Sequence, residues 1–206
     1  MRGSITGCDT PSIVERDFSG NVSRHWGSRS FTCRTTARLT HGRITVLVVR
    51  LSDDMKRVVL EQRLGFAATV CADGTPNLSP KGTTTLLDDE HLLFADIHSP
   101  GTVRNLEQNP SIELNVVDPI VRKGYRFKGS AEVHRGGEMY EAGLRLLSER
   151  GYHANRERVR AIVVVRVEQA APLISPAYDS GATEQEVAEV WERHLKELRG
   201  SADEGS

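Results

Sequence analysis

The sequence has few of the features that mark secreted, membrane-spanning or nucleic-acid-binding proteins. It contains three cysteines in 206 residues, Cys8, Cys33 and Cys71, with no C-x-x-C pair. A sparse, odd count argues against a disulfide scaffold and fits a reducing compartment. The apolar stretch at residues 44–49 is too short to cross a bilayer. The formal net charge of -1 lacks the basic surplus of a nucleic-acid binder. We therefore expect a cytoplasmic protein that partners neither membrane nor nucleic acid.

The first 50 residues differ from the rest in charge. They contain eight arginines, no lysine and three acidic residues. Abundant Arg, Ser and Thr with few acids is typical of an organellar transit peptide, but the amphipathic helical period of such a peptide is missing. We predict that residues 1–46 form a disordered leader, with a transit peptide as the alternative.

The remaining chain has room for one core and shows the pattern of a mainly β domain. Apolar and β-branched runs bounded by turn residues predict strands at residues 66–72, 77–87, 91–97, 111–117, 124–134 and 160–167. Amphipathic spacing and capping residues predict helices at residues 52–65, 99–110, 136–151 and 184–198. We expect the first three strands to form an antiparallel meander. Six strands with marginal helices favour a small antiparallel barrel over a Rossmann domain.

Several separated motifs carry a family resemblance. A predicted strand ends in Pro80-Lys81-Gly82, the strand at residues 91–97 contains Phe94-Ala95-Asp96, and a short helix ends in Asn-Leu-x-x-Asn-Pro at residues 105–110. A later strand reads Gly-Tyr-Arg-Phe-Lys-Gly-Ser-Ala over residues 124–131. Together these motifs resemble the pyridoxamine 5'-phosphate oxidase-like family of FMN-binding split barrels.

The resemblance implies a fold, a cofactor and a partner. The fold is a six-stranded antiparallel split β-barrel over residues 47–175, followed by a C-terminal helical extension at residues 176–206. The implied partner is a second copy of the chain, with FMN across the interface of this homodimer. Its phosphate is expected near Lys81 and the start of the short helix.

Elementary electrostatics supports this placement of the phosphate. A phosphate dianion favours a fixed cation and free backbone N–H groups, which Lys81 and the helix start at Gly101 and Thr102 offer together. Arg104 and Asn105 add further donors. Without the surrounding motifs, Lys81 would be interpreted as a solvated surface lysine.

The other candidate residues lie in the neighbouring motifs. Ser79 and Thr83 alternate with Lys81, so their hydroxyls either reach the phosphate or ribityl chain or are ordinary exposed strand positions. The 94–96 backbone is expected at the flavin edge, although Phe94 alone also fits a core position. The resemblance implies that residues 123–125 approach the flavin from the other subunit. The candidate cofactor-binding residues are therefore Ser79, Lys81, Gly82, Thr83, Phe94, Ala95, Asp96, Gly101, Thr102, Arg104, Asn105, Lys123, Gly124 and Tyr125.

The leading functional prediction is an FMN-dependent oxidoreductase acting on a small molecule. Two alternatives stay open: a flavin-binding carrier or sensor without turnover, and a reductase that uses the deazaflavin F420. No residue is assigned as catalytic, and the histidines show no metal-ligand spacing. The segment 172–178 departs from the arginine-bearing final strand of authentic pyridoxamine phosphate oxidases, so vitamin B6 oxidation is not expected.

Overall fold

The structure, a computed structural model, describes residues 49–152 and 155–203; the leader predicted at residues 1–46 lies outside this part of the chain. The strands are β1 (Gly65–Val70), β2 (Pro76–Lys81), β3 (Thr85–Leu86), β4 (His91–Asp96), β5 (Ser111–Asp118), β6 (Lys123–His134) and β7 (Ala161–Ile174). The helices are α1 (Asp53–Gln62), α2 (Pro100–Gln108), α3 (Gly137–Glu149) and α4 (Glu184–Asp203).

The strands form one antiparallel sheet that curls into a half-barrel. Their order is β2-β1-β5-β6-β7-β4-β3, so the two edge strands are neighbours in sequence. Only residues 82–84 separate β2 from β3, and this short link holds the two edges of the sheet near each other. Strand β6 pairs along β7 with a register shift between Lys128 and Gly129. Such an irregularity bends a strand and increases its twist.

The structure has seven strands where the sequence predicted six. The predicted meander is confirmed for the antiparallel β1–β2 pair but is wrong in its second step, because β2 does not pair with β4. The run at residues 77–87 is broken after Lys81, whose carbonyl oxygen accepts hydrogen bonds from the backbone N–H and the hydroxyl of Thr84. This turn redirects the chain, so residues 85 and 86 pair with β4 at the far edge of the sheet. Consequently β4 pairs with β7 and β3, and not with β2.

The apolar residues form two clusters on opposite faces of the sheet. The larger cluster fills the inside of the half-barrel and contains Phe94, Leu114 and Phe127 from the sheet, Met55 from α1 and Leu106 from α2. The smaller cluster lies on the outer face of β4 and β7, where the side chains of α3 cover Leu93, Ala95, Ile162 and Val164. Ser52 is the N-cap of helix α1, as the sequence predicted: its hydroxyl accepts a hydrogen bond from the backbone N–H of Met55.

Gly124 illustrates a position where close approach of two strands requires glycine. A Cβ atom on this residue would lie 2.1 Å from the carbonyl oxygen of Val116 and 2.6 Å from Cα of Val117. Both are backbone atoms of β5, so relief would require the strands to separate. The structure therefore explains Gly124 by packing within the sheet, whatever its relation to a cofactor.

We expect Gly124→Ala to lower the free energy of unfolding by about 1–3 kcal/mol, the usual cost of overpacking. Gly82 is the matched control because a Cβ atom added there meets no atom within 4 Å, so Gly82→Ala should be nearly neutral. Urea denaturation followed by circular dichroism measures both. Equal stability of the two variants would contradict the close approach seen at β5.

Candidate functional site

Lys81 is buried at the end of β2, facing the inside of the half-barrel. Residues Asn77, Ser79 and Lys81 alternate on that face, while Leu78 and Pro80 point outward. The ammonium donates hydrogen bonds to the hydroxyl oxygens of Ser79, at 2.7 Å, and of Ser99, at 2.6 Å. Only 3% of Lys81 is exposed. Burial lowers the pKa of this lysine, and the nearby Asp96 carboxylate partly opposes that shift.

Ser99 links Lys81 to a buried acid. Its backbone N–H donates to the carboxylate of Asp96 at 2.9 Å, and its hydroxyl accepts from Lys81. Asp96 is 2% exposed, and the ammonium lies 5.6 Å from the ring centroid of Phe94. We call Ser79, Lys81, Phe94, Asp96 and Ser99 the Lys81 cluster. It places one buried cation and one buried anion at the point where β4 leads into α2.

The N-terminus of α2 lies beside this cluster. The first N–H groups of a helix have no intrahelical acceptor and carry partial positive charge. A Cβ atom on Gly101 would meet only the side-chain oxygen of Asn77, at 3.9 Å, so there is open space above this turn. The Asn77 amide donates to the hydroxyls of Thr69, at 3.1 Å, and Thr102, at 3.3 Å. Asn77 therefore ties β2 to the first turn of α2.

Asn105 and Arg104 are adjacent in α2 but differ in burial. Asn105 is buried, and its amide donates to the hydroxyl of Thr69 at 3.0 Å and to the sulfur of Cys71 at 3.5 Å. It fastens the helix to β1 and faces away from solvent. Arg104 is exposed, so its guanidinium is accessible to an anion in solvent.

Gly82 and Thr83 lie in the turn after β2, outside the strand. The expectation that Thr83 shares a strand face with Lys81 is therefore wrong, because the turn ends the alternation. The Thr83 hydroxyl instead accepts a hydrogen bond from the backbone N–H of Ala95 at 2.8 Å. The backbone N–H of Ala95, one of the groups predicted to face the flavin, is therefore already paired with Thr83.

Residues 123–125 are not brought to Lys81 within one chain. In the register of the sheet, Lys81 is opposite Gly65, Gly65 is opposite Val116, and Val116 is opposite Tyr125. Three strand spacings correspond to roughly 14 Å. A shared site for Lys81 and Tyr125 would therefore need a bridging ligand or a second subunit.

Lys123 and Tyr125 have partners of their own. The Lys123 ammonium lies 2.6 Å from the carboxylate of Glu184 and 4.1 Å from the ring centroid of Tyr178. The Tyr125 hydroxyl donates to Asp54, and burial together with that hydrogen bond raises the pKa of Tyr125 to about 12. Tyr125 is therefore a neutral hydrogen-bond donor at physiological pH.

Three residues of the site were missed by the sequence predictions: Asn77, Ser99 and Thr69. Asn77 could have been found, because the two-residue period that aligns Ser79 with Lys81 also includes residue 77. Ser99 was recognised only as a helix start, whereas its hydroxyl accepts from Lys81. Nothing local distinguishes Thr69, which contacts Asn77 and Asn105 from a different strand.

The donors at this corner fit a phosphate group. Lys81, the hydroxyls of Ser79 and Ser99 and the first turn of α2 supply a cation and N–H or O–H donors of the kind that bind phosphate. A phosphate must also be able to reach the Lys81 ammonium, which is buried in the isolated chain. Binding would require this ammonium to exchange its hydrogen bonds to Ser79 and Ser99 for hydrogen bonds to the phosphate.

The structure offers neither a metal centre nor a membrane-spanning helix in the residues it describes. In residues 49–152 and 155–203, no three His, Cys, Asp or Glu side chains are grouped in a way that could hold a metal ion. No helix in the same ranges combines the length and apolar character needed to cross a bilayer.

Comparison with known proteins assigns the family. Residues 51–173 match the family model for pyridoxamine 5'-phosphate oxidase. The structure of HupZ from Group A Streptococcus is 32% identical, with a TM-score of 0.54 over 61% of this chain and 95% of that chain. A conserved hypothetical protein from Mycobacterium tuberculosis, 18% identical, shares the fold with a TM-score of 0.52 over 66% of this chain and 91% of its own. An uncharacterized protein from Methanocaldococcus jannaschii is 33% identical over 93 residues, 44% of this chain and 61% of that relative's length, so the match spans less than two thirds of the relative. The chain belongs to the pyridoxamine 5'-phosphate oxidase family.

Proposed function

We propose that the protein is an FMN-binding flavoprotein, a homodimer that acts as an oxidoreductase on a small organic molecule. The observation that carries the proposal is the Lys81 cluster beside the N-terminus of α2, in a chain of this family. It supplies a fixed cation, two hydroxyls and a helix N-terminus within one corner of the fold. These are the groups that a phosphate monoester requires.

The residues of the proposed phosphate site have distinct tasks. Lys81 supplies the positive charge, and the N–H groups at Gly101 and Thr102 supply directional donors. Arg104, on the exposed side of α2, adds a second cation. Asn105 takes a positioning role in this proposal, because its buried amide holds α2 against β1.

The homodimer is supported by a sheet face that the described residues leave bare. The outer face of β1 and β2 exposes Phe66 at 42%, Val70 at 40% and Leu78 at 64%. Sheet faces of this kind are usually covered, and a second copy is the simplest cover. On the same face, the side-chain oxygen of Asn115 is buried without a hydrogen-bond partner among the described residues. Covering this face would bury the apolar side chains and could supply that missing donor.

The chemistry of the proposed enzyme belongs to its cofactor. Bound FMN would accept electrons from a donor such as NAD(P)H and pass them to an acceptor. The chain would hold the phosphate through Lys81 and orient the cofactor through α2. In a dimer, Lys123 and Tyr125 are proposed to approach from the second subunit, where a cation could stabilise an anionic reduced flavin.

Anaerobic stopped-flow spectroscopy tests the oxidoreductase proposal. The FMN-loaded protein is mixed with NADPH and its flavin absorbance is followed. Loss of the oxidised flavin bands at a rate that increases with NADPH concentration supports the enzyme. Bands that persist with both NADPH and NADH would contradict turnover with these donors and favour a carrier. Displacement of FMN by F420 in a competition titration would favour the deazaflavin.

The affinity for FMN should fall at alkaline pH. The Lys81 ammonium binds phosphate only while protonated, and burial lowers the pKa of this lysine. The affinity for FMN is therefore expected to be constant below the pKa that Lys81 has in the FMN-free protein and to decrease above it. This break should lie below the ordinary lysine value of about 10.4. Fluorescence titration of FMN across the alkaline range measures it, and an affinity that is unchanged up to the ordinary value would contradict a role for this ammonium.

A further inference from the structure

Helix α4 is amphipathic, but the other described residues leave much of its apolar side uncovered. Val187 is buried, whereas Val190 and Leu198 are 55% and 56% exposed, with Trp191 and Leu195 half-buried between them. An amphipathic helix normally packs its apolar stripe against another element. Helices without such packing are marginally stable in water. The uncovered part of this apolar stripe therefore indicates that α4 packs against a partner.

The charges of α4 are separated along its length. Residues 184–192 contain four glutamates and no cation, whereas residues 193–199 contain three cations and one glutamate. Two identical helices side by side in parallel would place like charges together. In antiparallel orientation, the acidic half of each helix faces the basic half of the other. The charge pattern is thus complementary to itself only in the antiparallel arrangement.

Two residues at the edge of the stripe define the register. Glu192 and Arg199 are seven residues apart, which places them on the same side of the helix. They precede and follow Leu195 by three and four residues, so both border the stripe. An antiparallel crossing near Leu195 brings Arg199 of each copy beside Glu192 of the other copy. The same crossing packs Leu198 of one helix against the Trp191 end of its partner.

We propose that α4 pairs with α4 of a second copy, antiparallel and crossing near Leu195. The proposal rests on the homodimer proposed above and adds a second contact to it. Apolar burial holds the pair together, and the two Glu192–Arg199 contacts set its direction. A different protein is a poorer match, because the complementarity lies within this one helix.

The pairing also affects the β5–β6 loop, residues 119–122, because α4 contacts this loop. The guanidinium of Arg122 lies 4.1 Å from the ring centroid of Trp191. Glu184 pairs with Lys123, and the Tyr178 hydroxyl donates to the carbonyl oxygen of Val121. A helix fixed by its partner would hold this loop in place. Lys123, a candidate cofactor residue, is then positioned by the dimer.

Charge reversal in the full-length protein tests the pairing. The dimer dissociation constant is measured by sedimentation for the wild type, Glu192→Arg, Arg199→Glu and the double variant. Each single change replaces two attractive contacts by two repulsive ones, so the constant should rise by about three- to tenfold. The double variant should return close to the wild-type value. Glu189→Arg, the same charge change on the side of α4 facing away from the stripe, is the control and should have little effect.

The outcomes separate this proposal from the proposed cofactor. Rescue in the double variant supports the antiparallel pair even if the samples bind no FMN. A dimer that is equally stable in all variants, or a wild-type chain that stays monomeric, overturns the pairing. Far-UV circular dichroism confirms that each variant retains its helices. Leu195→Asp supplies an independent check, since it should weaken the dimer at least as much as a single charge reversal.

Discussion

Lys81→Ala is expected to raise the dissociation constant for FMN by about 10- to 100-fold. Removing a charge-assisted hydrogen bond costs about 1.5–3 kcal/mol, and each 1.4 kcal/mol is a factor of ten. Alanine also leaves the hydroxyls of Ser79 and Ser99 without their cation. Fluorescence quenching of free FMN on titration with protein measures the constant directly.

Lys196→Ala is the matched control for this effect. Lys196 is exposed on α4, nine residues after the buried Val187 and so on the opposite side of that helix. This substitution removes the same charge without touching the Lys81 cluster or the bare sheet face. The dissociation constant of this variant for FMN should stay within about twofold of the wild-type value. A Lys81→Ala protein that binds FMN as tightly as Lys196→Ala would contradict the assigned phosphate site. Circular dichroism excludes misfolding as the cause of a loss.

Phe127→Ala is expected to lower the free energy of unfolding by about 3–5 kcal/mol, the usual cost of emptying a buried aromatic site. The ring is fully buried inside the half-barrel, on a residue paired with Leu114 of β5 and Ala170 of β7. Urea denaturation at low protein concentration measures the loss.

Phe66→Ala is the same substitution on the other face of the sheet. Because the Phe66 side chain is substantially exposed, we expect a loss of about 1 kcal/mol or less in the isolated chain. It should instead weaken self-association, since Phe66 belongs to the bare face proposed to meet a second copy. Equal destabilisation by the two substitutions would contradict the assignment of inner and outer faces. Unchanged association in Phe66→Ala would contradict the proposed dimer face.

The fold could be predicted where local signals decide it. The β1–β2 hairpin follows from Asp73-Gly74, because Gly74 adopts a positive φ of 83° that the turn requires. The seventh strand could not be predicted, because the threonines at residues 83–85 favour a strand as readily as a turn. Strand β7 runs seven residues past its predicted end, through Pro172 and on to Ile174, because its long-range partner β6 holds it in register.

The candidate site could be predicted less completely than the fold. The two-residue period correctly placed Ser79 and Lys81 on one face of a strand. The burial of Lys81 could not be foreseen, because it depends on Ser99, a residue 18 positions later in the chain. Asn105 was predicted as a hydrogen-bond donor to the ligand, yet its amide donates to the hydroxyl of Thr69 on β1. Helical spacing correctly predicts that Val103 and Leu106 face inward, but it does not reveal that the polar Asn105 is buried as well.

The central claim is that this chain binds FMN, and the visible absorbance spectrum of the purified protein tests it most directly. The protein is saturated with FMN and dialysed, and its spectrum is then compared with that of Lys81→Ala treated in the same way. We predict that the wild type retains both flavin bands at about one FMN per chain, while the variant loses most of the bound flavin. A wild-type protein that emerges colourless would contradict the account.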